Sequence, residues 1–171
     1  MNTICRTERL IIREMDSALD AEFIFELLNS EGFLKYIGDR GIRSVEDARN
    51  FIETRYRQSY RDHGYGLYTV ELNQNGMPVG ICGFVRRDTL PGPDIGFAFL
   101  PEHERNGYGF ESASAMMLHG AEKLGFDEVF AITTLDNAAS IKLLEKLGFS
   151  LLNIIDSLEG ERLNLFTYKR P

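Results

Sequence analysis

Apolar positions recur along the chain with two periods, and each period assigns an element. Leu10, Ile11 and Ile12 form a short run between Arg9 and Arg13, which predicts a first strand. Leu19, Phe23, Ile24, Leu27 and Leu28 then recur at three- and four-residue steps, a helix that Asp16 or Ser17 can cap and that Asn29-Ser30-Glu31-Gly32 ends. A second helix starts at Ser44: Ser44-Val45-Glu46-Asp47 reads as a capping box, and Ala48, Phe51, Ile52 and Tyr56 supply the stripe. From Gly66 to Val85 the pattern turns to strands, with Leu67–Leu72 and Val79–Val85 flanking the turn Asn73-Gln74-Asn75-Gly76. The next strand, Asp94–Leu100, sets Ile95, Phe97 and Phe99 on one face and Asp94, Gly96 and Ala98 on the other. The small face reads either as a cleft wall or as a seat for a packed helix.

Gly107 to Leu124 predicts a helix with Phe110, Ser114, Met117, Ala121 and Leu124 on its stripe. A strand Glu128–Thr134, a helix Asn137–Leu147 and a closing hairpin of Ser150–Leu158 with Arg162–Tyr168 complete the chain. Glu-Lys-Leu-Gly-Phe occurs twice, ending at Phe126 and at Phe149, and in each copy glycine supplies a left-handed helix cap before a strand. One local solution explains both copies without an internal repeat. The order of elements makes residues 1–171 a single α/β (α+β) domain, core about 7–170, around a mixed sheet of seven strands.

Composition narrows the class. A chain of 171 residues with 43% hydrophobic and 26% charged side chains can bury a core without staples. A net charge of -7 argues against a broad nucleic-acid footprint. No apolar run approaches the roughly 18 residues of a membrane span or forms a signal-peptide core, so a soluble, unprocessed chain with no membrane partner is expected. Cys5 and Cys82 are too few for a disulfide framework, which fits a reducing cytoplasm, and His63, His103 and His119 lack the spacing of a metal site.

Chemistry enters with Leu100-Pro101-Glu102-His103-Glu104-Arg105-Asn106-Gly107-Tyr108-Gly109-Phe110, a strand end, a polar loop and two glycines opening a helix. Unpaired N–H groups at such a start bind anions, although glycines also enter helices for packing. Phe110-Glu111 after Gly109 excludes a P-loop, and the lack of a third glycine near Ser112 argues against a dinucleotide fingerprint. Asn137 is a good N-cap for the late helix, whose Ile141, Leu144 and Leu147 face a core.

Together these segments resemble the GNAT superfamily of acetyl-CoA-dependent N-acetyltransferases, and within it the RimJ/RimL group of ribosomal-protein-alanine N-acetyltransferases. Thr7-Glu8-Arg9-Leu10-Ile11-Ile12-Arg13 resembles that group's opening, Ile95-Gly96-Phe97 through Pro101 its central strand, and Gly107-Tyr108-Gly109-Phe110-Glu111 its cofactor loop. Asn137-Ala138-Ala139-Ser140 with Leu147-Gly148-Phe149 resembles its late helix. The resemblance implies a single-domain GNAT-like fold, a mostly antiparallel seven-stranded sheet with helices on both faces. It implies acetyl-CoA as co-substrate, no metal, and direct attack by a primary amine, either a protein N-terminus or a small molecule, in a ternary complex. A non-catalytic acyl-CoA-binding or regulatory module on the same fold is the alternative, and a family-like homodimer is compatible with either.

By the same resemblance, Phe99 and Leu100 offer main-chain hydrogen bonds to the pantetheine arm. Arg105, Asn106, Gly107, Tyr108, Gly109 and Phe110 offer N–H groups to the pyrophosphate, and Asn137 and Ser140 lie near the thiol. Asp94 is the candidate base, with a turn role after Gly92-Pro93 as the other reading, and the N–H near Leu100 is the candidate oxyanion donor. The thiolate's proton falls to Ser140 or solvent, because Leu144 stands where the family commonly has tyrosine. Glu104 departs from the Gln or Arg usual before the loop. The resemblance sets the acceptor between Glu31 and Arg43 and at the last hairpin.

Overall fold

Residues 2–171 are described by a computed structural model. Its strands are β1 (Thr3–Arg6), β2 (Leu10–Arg13), β3 (Leu67–Leu72), β4 (Pro78–Val85), β5 (Asp94–Phe99), β6 (Glu128–Thr134), β7 (Ser150–Asp156) and β8 (Arg162–Lys169). They form one sheet in the order β1-β2-β3-β4-β5-β6-β8-β7, antiparallel everywhere except between β5 and β6. The mixed, mostly antiparallel sheet is the expected one, but among the described residues it has eight strands rather than seven. The addition is β1, whose Thr-Ile-Cys-Arg pairs only with β2, across a bulge, at the sheet's edge. Two half-buried apolar residues there leave no readable alternation.

Helices cover both faces. On one lie α1 (Ala21–Leu28), α2 (Glu31–Tyr36) and α3 (Val45–Phe51), which runs through a π-helical turn, Ile52–Arg57, into α4 (Gln58–His63). Ile24, Leu27, Ile52 and Tyr56 pack there against Ile81 and Leu100. On the other lie α5 (Tyr108–Glu122) and α6 (Ala138–Lys146), whose Ala113, Met116 and Leu144 join Leu10, Ile12, Val70, Phe84 and Ile95. Ile81 and Cys82 go to opposite clusters, as the period of two requires. Among the described residues, no helix is long and apolar enough to cross a membrane.

Four local expectations change. The first helix begins at Ala21, because Asp16 spends its carboxylate on the N–H groups of Ala18 and Leu19 in a preceding turn, leaving Leu19 64% exposed. The chain also re-enters a helix, α2, directly after the expected stop. The capping box at Ser44 forms with a shift: Ser44 Oγ accepts from Asp47 N–H at 3.0 Å, while Asp47 takes the N–H of Arg43 instead of that of Ser44. The face of α5 buried on the sheet is Ser112, Ala113, Met116 and Gly120, one residue back from the apolar stripe. A helix lying this close to β4 needs small side chains beneath it: a Cβ on Gly120 would sit 2.8 Å from the Phe84 ring.

Arg13, which closes the first apolar run, is buried. Its guanidinium forks onto both oxygens of Asp20 at 2.8 and 2.9 Å and gives Nε to Glu71 at 2.7 Å, tying the start of α1 to β2 and β3. Removing one member of such a group strands the others without water. Arg13→Met is expected to lose about 3–5 kcal/mol, read as a lower urea midpoint at unchanged m value.

Candidate active site

The site begins where the sheet comes apart. β5 and β6 share a single parallel bridge, Asp94↔Phe130, with the Phe130 N–H on the Pro93 carbonyl at 2.9 Å. Beyond it the two strands do not pair among the described residues, although β5 stays in register with β4 to Phe99↔Gly80. Antiparallel ladders alternate. The Leu100 N–H donates to the Val79 carbonyl at 2.9 Å, so Ala98, Gly96 and Asp94 also turn their main-chain groups to β4. Phe97 and Phe99 therefore turn theirs into the gap.

That parity corrects the assignment of Leu100. Its N–H is taken by Val79, its carbonyl accepts from His103 N–H at 2.9 Å, and its side chain is buried among the α1–α4 helices. It also lies six residues, roughly 20 Å of extended chain, from Asp94, too far for both to serve one reacting carbon. The free donors are Phe97 and Phe99.

At the open end of the gap stands the start of α5. Gly107, with φ +81°, is its N-cap and makes no side-chain capping bond, so the N–H groups of Tyr108, Gly109 and Phe110 are left for solvent or a ligand. Arg105 has φ +62°, the one positive value at a non-glycine position among the described residues. Gly109 is there for contact: a Cβ would come 3.2 Å from Leu143 Cδ2 and 3.7 Å from Phe99 Cε2. One missing methyl thus lets the end of β5, α5 and α6 meet. Lys146 lies over the Phe110 ring at 4.0 Å and closes the same junction. Asn106 gives its Nδ2 to the carbonyls of His103 and Glu104, both at 3.1 Å, which shapes the loop. Glu104 turns toward α2, its Oε1 3.9 Å from where a Cβ on Gly32 would lie.

On α6 the side chain of Asn137 is occupied: Oδ1 accepts from the Ser140 N–H at 3.3 Å and caps the helix. The Ser140 hydroxyl, on the same first turn, is half-buried and makes no hydrogen bond to the protein among the described residues. Leu144, a turn further on, is 1% exposed and belongs to the core.

Asp94 sits at the apex of the gap, 2% exposed. Arg87 Nε donates to its Oδ2 at 2.6 Å, whereas Oδ1 is buried without a partner among the described residues. Burial pushes the carboxyl up to about 6 against the pull of the Arg87 guanidinium. A carboxylate with one anchored and one free oxygen, titrating near neutrality, is equipped to accept a proton. Sequence reading found Asp94 but not Arg87, whose loop position carries no periodic signal. It named Thr7, Arg9 and Glu111 within motifs but gave them no role of their own; they join β2 to the start of α5 through side chains about a hundred residues apart.

Comparison with known proteins names the class. The sequence profile of the acetyltransferase (GNAT) domain family matches residues 9–150, and the chain belongs to that family. It is 31% identical to the uncharacterised N-acetyltransferase YoaA of Bacillus subtilis over 150 residues, 87% of this chain and 84% of that protein. Among solved structures it superposes on an acetyltransferase from Agrobacterium tumefaciens with a TM-score of 0.83 at 22% identity, covering 99% and 95% of the two chains. A TM-score of 0.83 at 15% identity, covering 99% and 100%, relates it to the Salmonella typhimurium enzyme that modifies the N-terminal serine of ribosomal protein L7/L12. As a class, the fold and family are those of acetyl-CoA-dependent acyltransferases.

Because the folded-state carboxyl of Asp94 titrates above its unfolded value of 3.8, the native state holds the extra proton between the two values. The stability contribution of this group is therefore present below about pH 4 and is lost as pH rises through about 6. Asp94→Asn is expected to stabilise the protein at pH 7.5 by on the order of 1–3 kcal/mol and to gain little at pH 4, as measured by denaturant midpoints at the two pH values.

Proposed function

We propose that the chain transfers an acetyl group from acetyl-CoA to a primary amine by direct attack in a ternary complex, and that it belongs with the RimJ/RimL-like enzymes. The observation that carries this reading is the gap itself, with unpaired main-chain groups along one wall, an uncapped helix start at its mouth and a half-satisfied buried carboxyl at its apex. Bound there, acetyl-CoA supplies an acyl group activated by a thiol leaving group. The protein supplies placement and proton traffic.

Main-chain groups of Phe97 and Phe99 hold the pantetheine arm as a missing strand would, and the Phe97 N–H is the donor nearest the apex for the thioester oxygen. The N–H groups from Arg105 to Phe110 take the pyrophosphate. Asp94 Oδ1 accepts the proton of the incoming ammonium, directly or through an ordered water. An aliphatic amine has a pKa near about 10, so a positioned base is worth about 10²–10⁴ in rate. Ser140 Oγ, free on the first turn of α6, relays a proton to the thiolate and recovers one from solvent. We place a protein N-terminus first among acceptors, supported by the likeness to the Salmonella typhimurium enzyme and by the exposed chain at Asp39–Gly41 and the β7–β8 hairpin.

One observation favours a second reading, an acyl-CoA-binding module without turnover: Leu144, at the place where the family commonly has a tyrosine, is sealed in the core. An acceptor panel of ribosomal-protein N-terminal peptides, polyamines and amino acids, followed by release of free CoA, separates the two. With the best acceptor, kcat/KM is expected to rise with pH through about 6, and Asp94→Asn to lower kcat by at least about 10². Full kcat in both Asp94→Asn and Ser140→Ala from about pH 6 to 9 would contradict the roles assigned to these two side chains, and CoA binding without release from any amine would favour the module.

A further inference from the structure

The N-terminal segment reaches the mouth of the gap through one cluster of polar contacts. Thr7 Oγ1 donates to Glu111 Oε1 at 2.5 Å and accepts the Leu10 N–H at 3.0 Å. Arg9 gives its main-chain N–H to the same Glu111 oxygen at 2.9 Å and its Nε to the other at 2.7 Å. Its Nη1 donates to the Asn106 carbonyl at 2.8 Å, and the guanidinium lies over the Tyr108 ring at 4.7 Å. Nη2 has no protein partner among the described residues and lies 3.2 Å from where a Cβ on Gly107 would be. Burial opposes ionisation of Glu111, but the Thr7 hydroxyl and then the N–H and guanidinium of Arg9 hold its carboxyl below the ordinary value.

A lone exposed ion pair contributes little, and Arg9 is about half exposed. Here the fork has two targets at fixed separation, a carboxylate on the first turn of α5 and a carbonyl in the loop before it. Between Arg105 and Gly107 the main chain twice takes positive φ, at Arg105 without the freedom of glycine, so the neighbouring contacts must hold that shape. Asn106, the residue between them, is the one whose carbonyl Arg9 holds. Glu111 would otherwise set a negative charge beside the uncapped amides, and Arg9 neutralises it.

We infer that Arg9 is a positioning residue for the pyrophosphate of the donor: anchored by Glu111, its guanidinium grips the Asn106 carbonyl and keeps the amides of the Arg105–Phe110 segment turned outward. The inference rests on the acetyl-CoA reading above and adds a residue from the other end of the chain to it. Lysine cannot substitute, because a single ammonium on a flexible stem does not span the carboxylate and the carbonyl in one plane.

The test is calorimetric affinity for CoA and for pantetheine, which lacks the pyrophosphate, in the wild type, Arg9→Gln and Arg9→Lys, with thermal melting by circular dichroism as the control for folding. Wild type is expected to prefer CoA, and both variants to lose at least about tenfold of that preference, the scale of one charge-assisted hydrogen bond. Weakening of both ligands in equal proportion would reduce Arg9 to a structural role and overturn the inference, as would an undiminished preference in Arg9→Gln. Full preference in Arg9→Lys would overturn the two-point grip. A wild-type protein that binds no CoA would instead sink the transferase reading, and the inference with it.

Discussion

Everything in this fold that can do chemistry follows from one broken pairing. β5 is held by β4 along its whole length, yet it meets β6 at one bridge only. Strand N–H and C=O groups without a partner are costly wherever water cannot reach them, and native structures rarely leave such groups unpaired. The chain tolerates the gap because β5 beyond Ile95 is only half-buried, so water can meet the groups that face it, while β4 and β8 pair the other edge of each strand. What the sheet lacks is an extended segment with donors and acceptors of its own, and an amide-bearing arm of a ligand has that chemistry.

The apex of the gap turns the same geometry into an electrostatic problem. Asp94 is the last β5 residue still bridged to β6, so its carboxyl is both buried and fixed. Contrast Asp20, equally buried but answered on both oxygens by Arg13. Two buried aspartates on one domain thus have opposite fates: one is fully paired and serves the fold, the other is half paired and keeps an oxygen in reserve. Burial alone does not distinguish them; the count of partners does.

Much of this was legible in residues. The left-handed caps expected at Gly125 and Gly148 are present, with φ of +70° and +97°, and Asn137 caps its helix, because each is a local event decided within four residues. Strand faces were legible too, since Ile95, Phe97 and Phe99 all join the α5 side. What escaped reading depended on relations between distant segments. Whether Leu100 or Phe99 offers a free N–H is a matter of ladder parity, which a strand cannot reveal without its partner's register. Which face of α5 is buried was set by how close the helix lies to Phe84, where small residues outrank large apolar ones. Arg9 and Arg13 both read as charged ends of an apolar run, yet one is buried with Asp20 and the other reaches across the sheet's end to α5.

That last pair shows how a single four-residue strand is worked from both ends. At its exit Arg13 binds the start of α1, and so fixes the helices that cover one face of the sheet. At its entrance Arg9 and Thr7 bind the first turn of α5, on the opposite face, through the carboxylate of Glu111. β2 is three strands away from the gap, although its Leu10 and Ile12 belong to the cluster against which Phe97 and Phe99 pack. α5 is seated on the sheet through Ser112, Ala113, Met116 and Gly120, and the missing Cβ of Gly109 lets its start approach Phe99. The Thr7-Arg9-Glu111 cluster adds a polar attachment at the helix's first turn, beside the amides that are left uncapped.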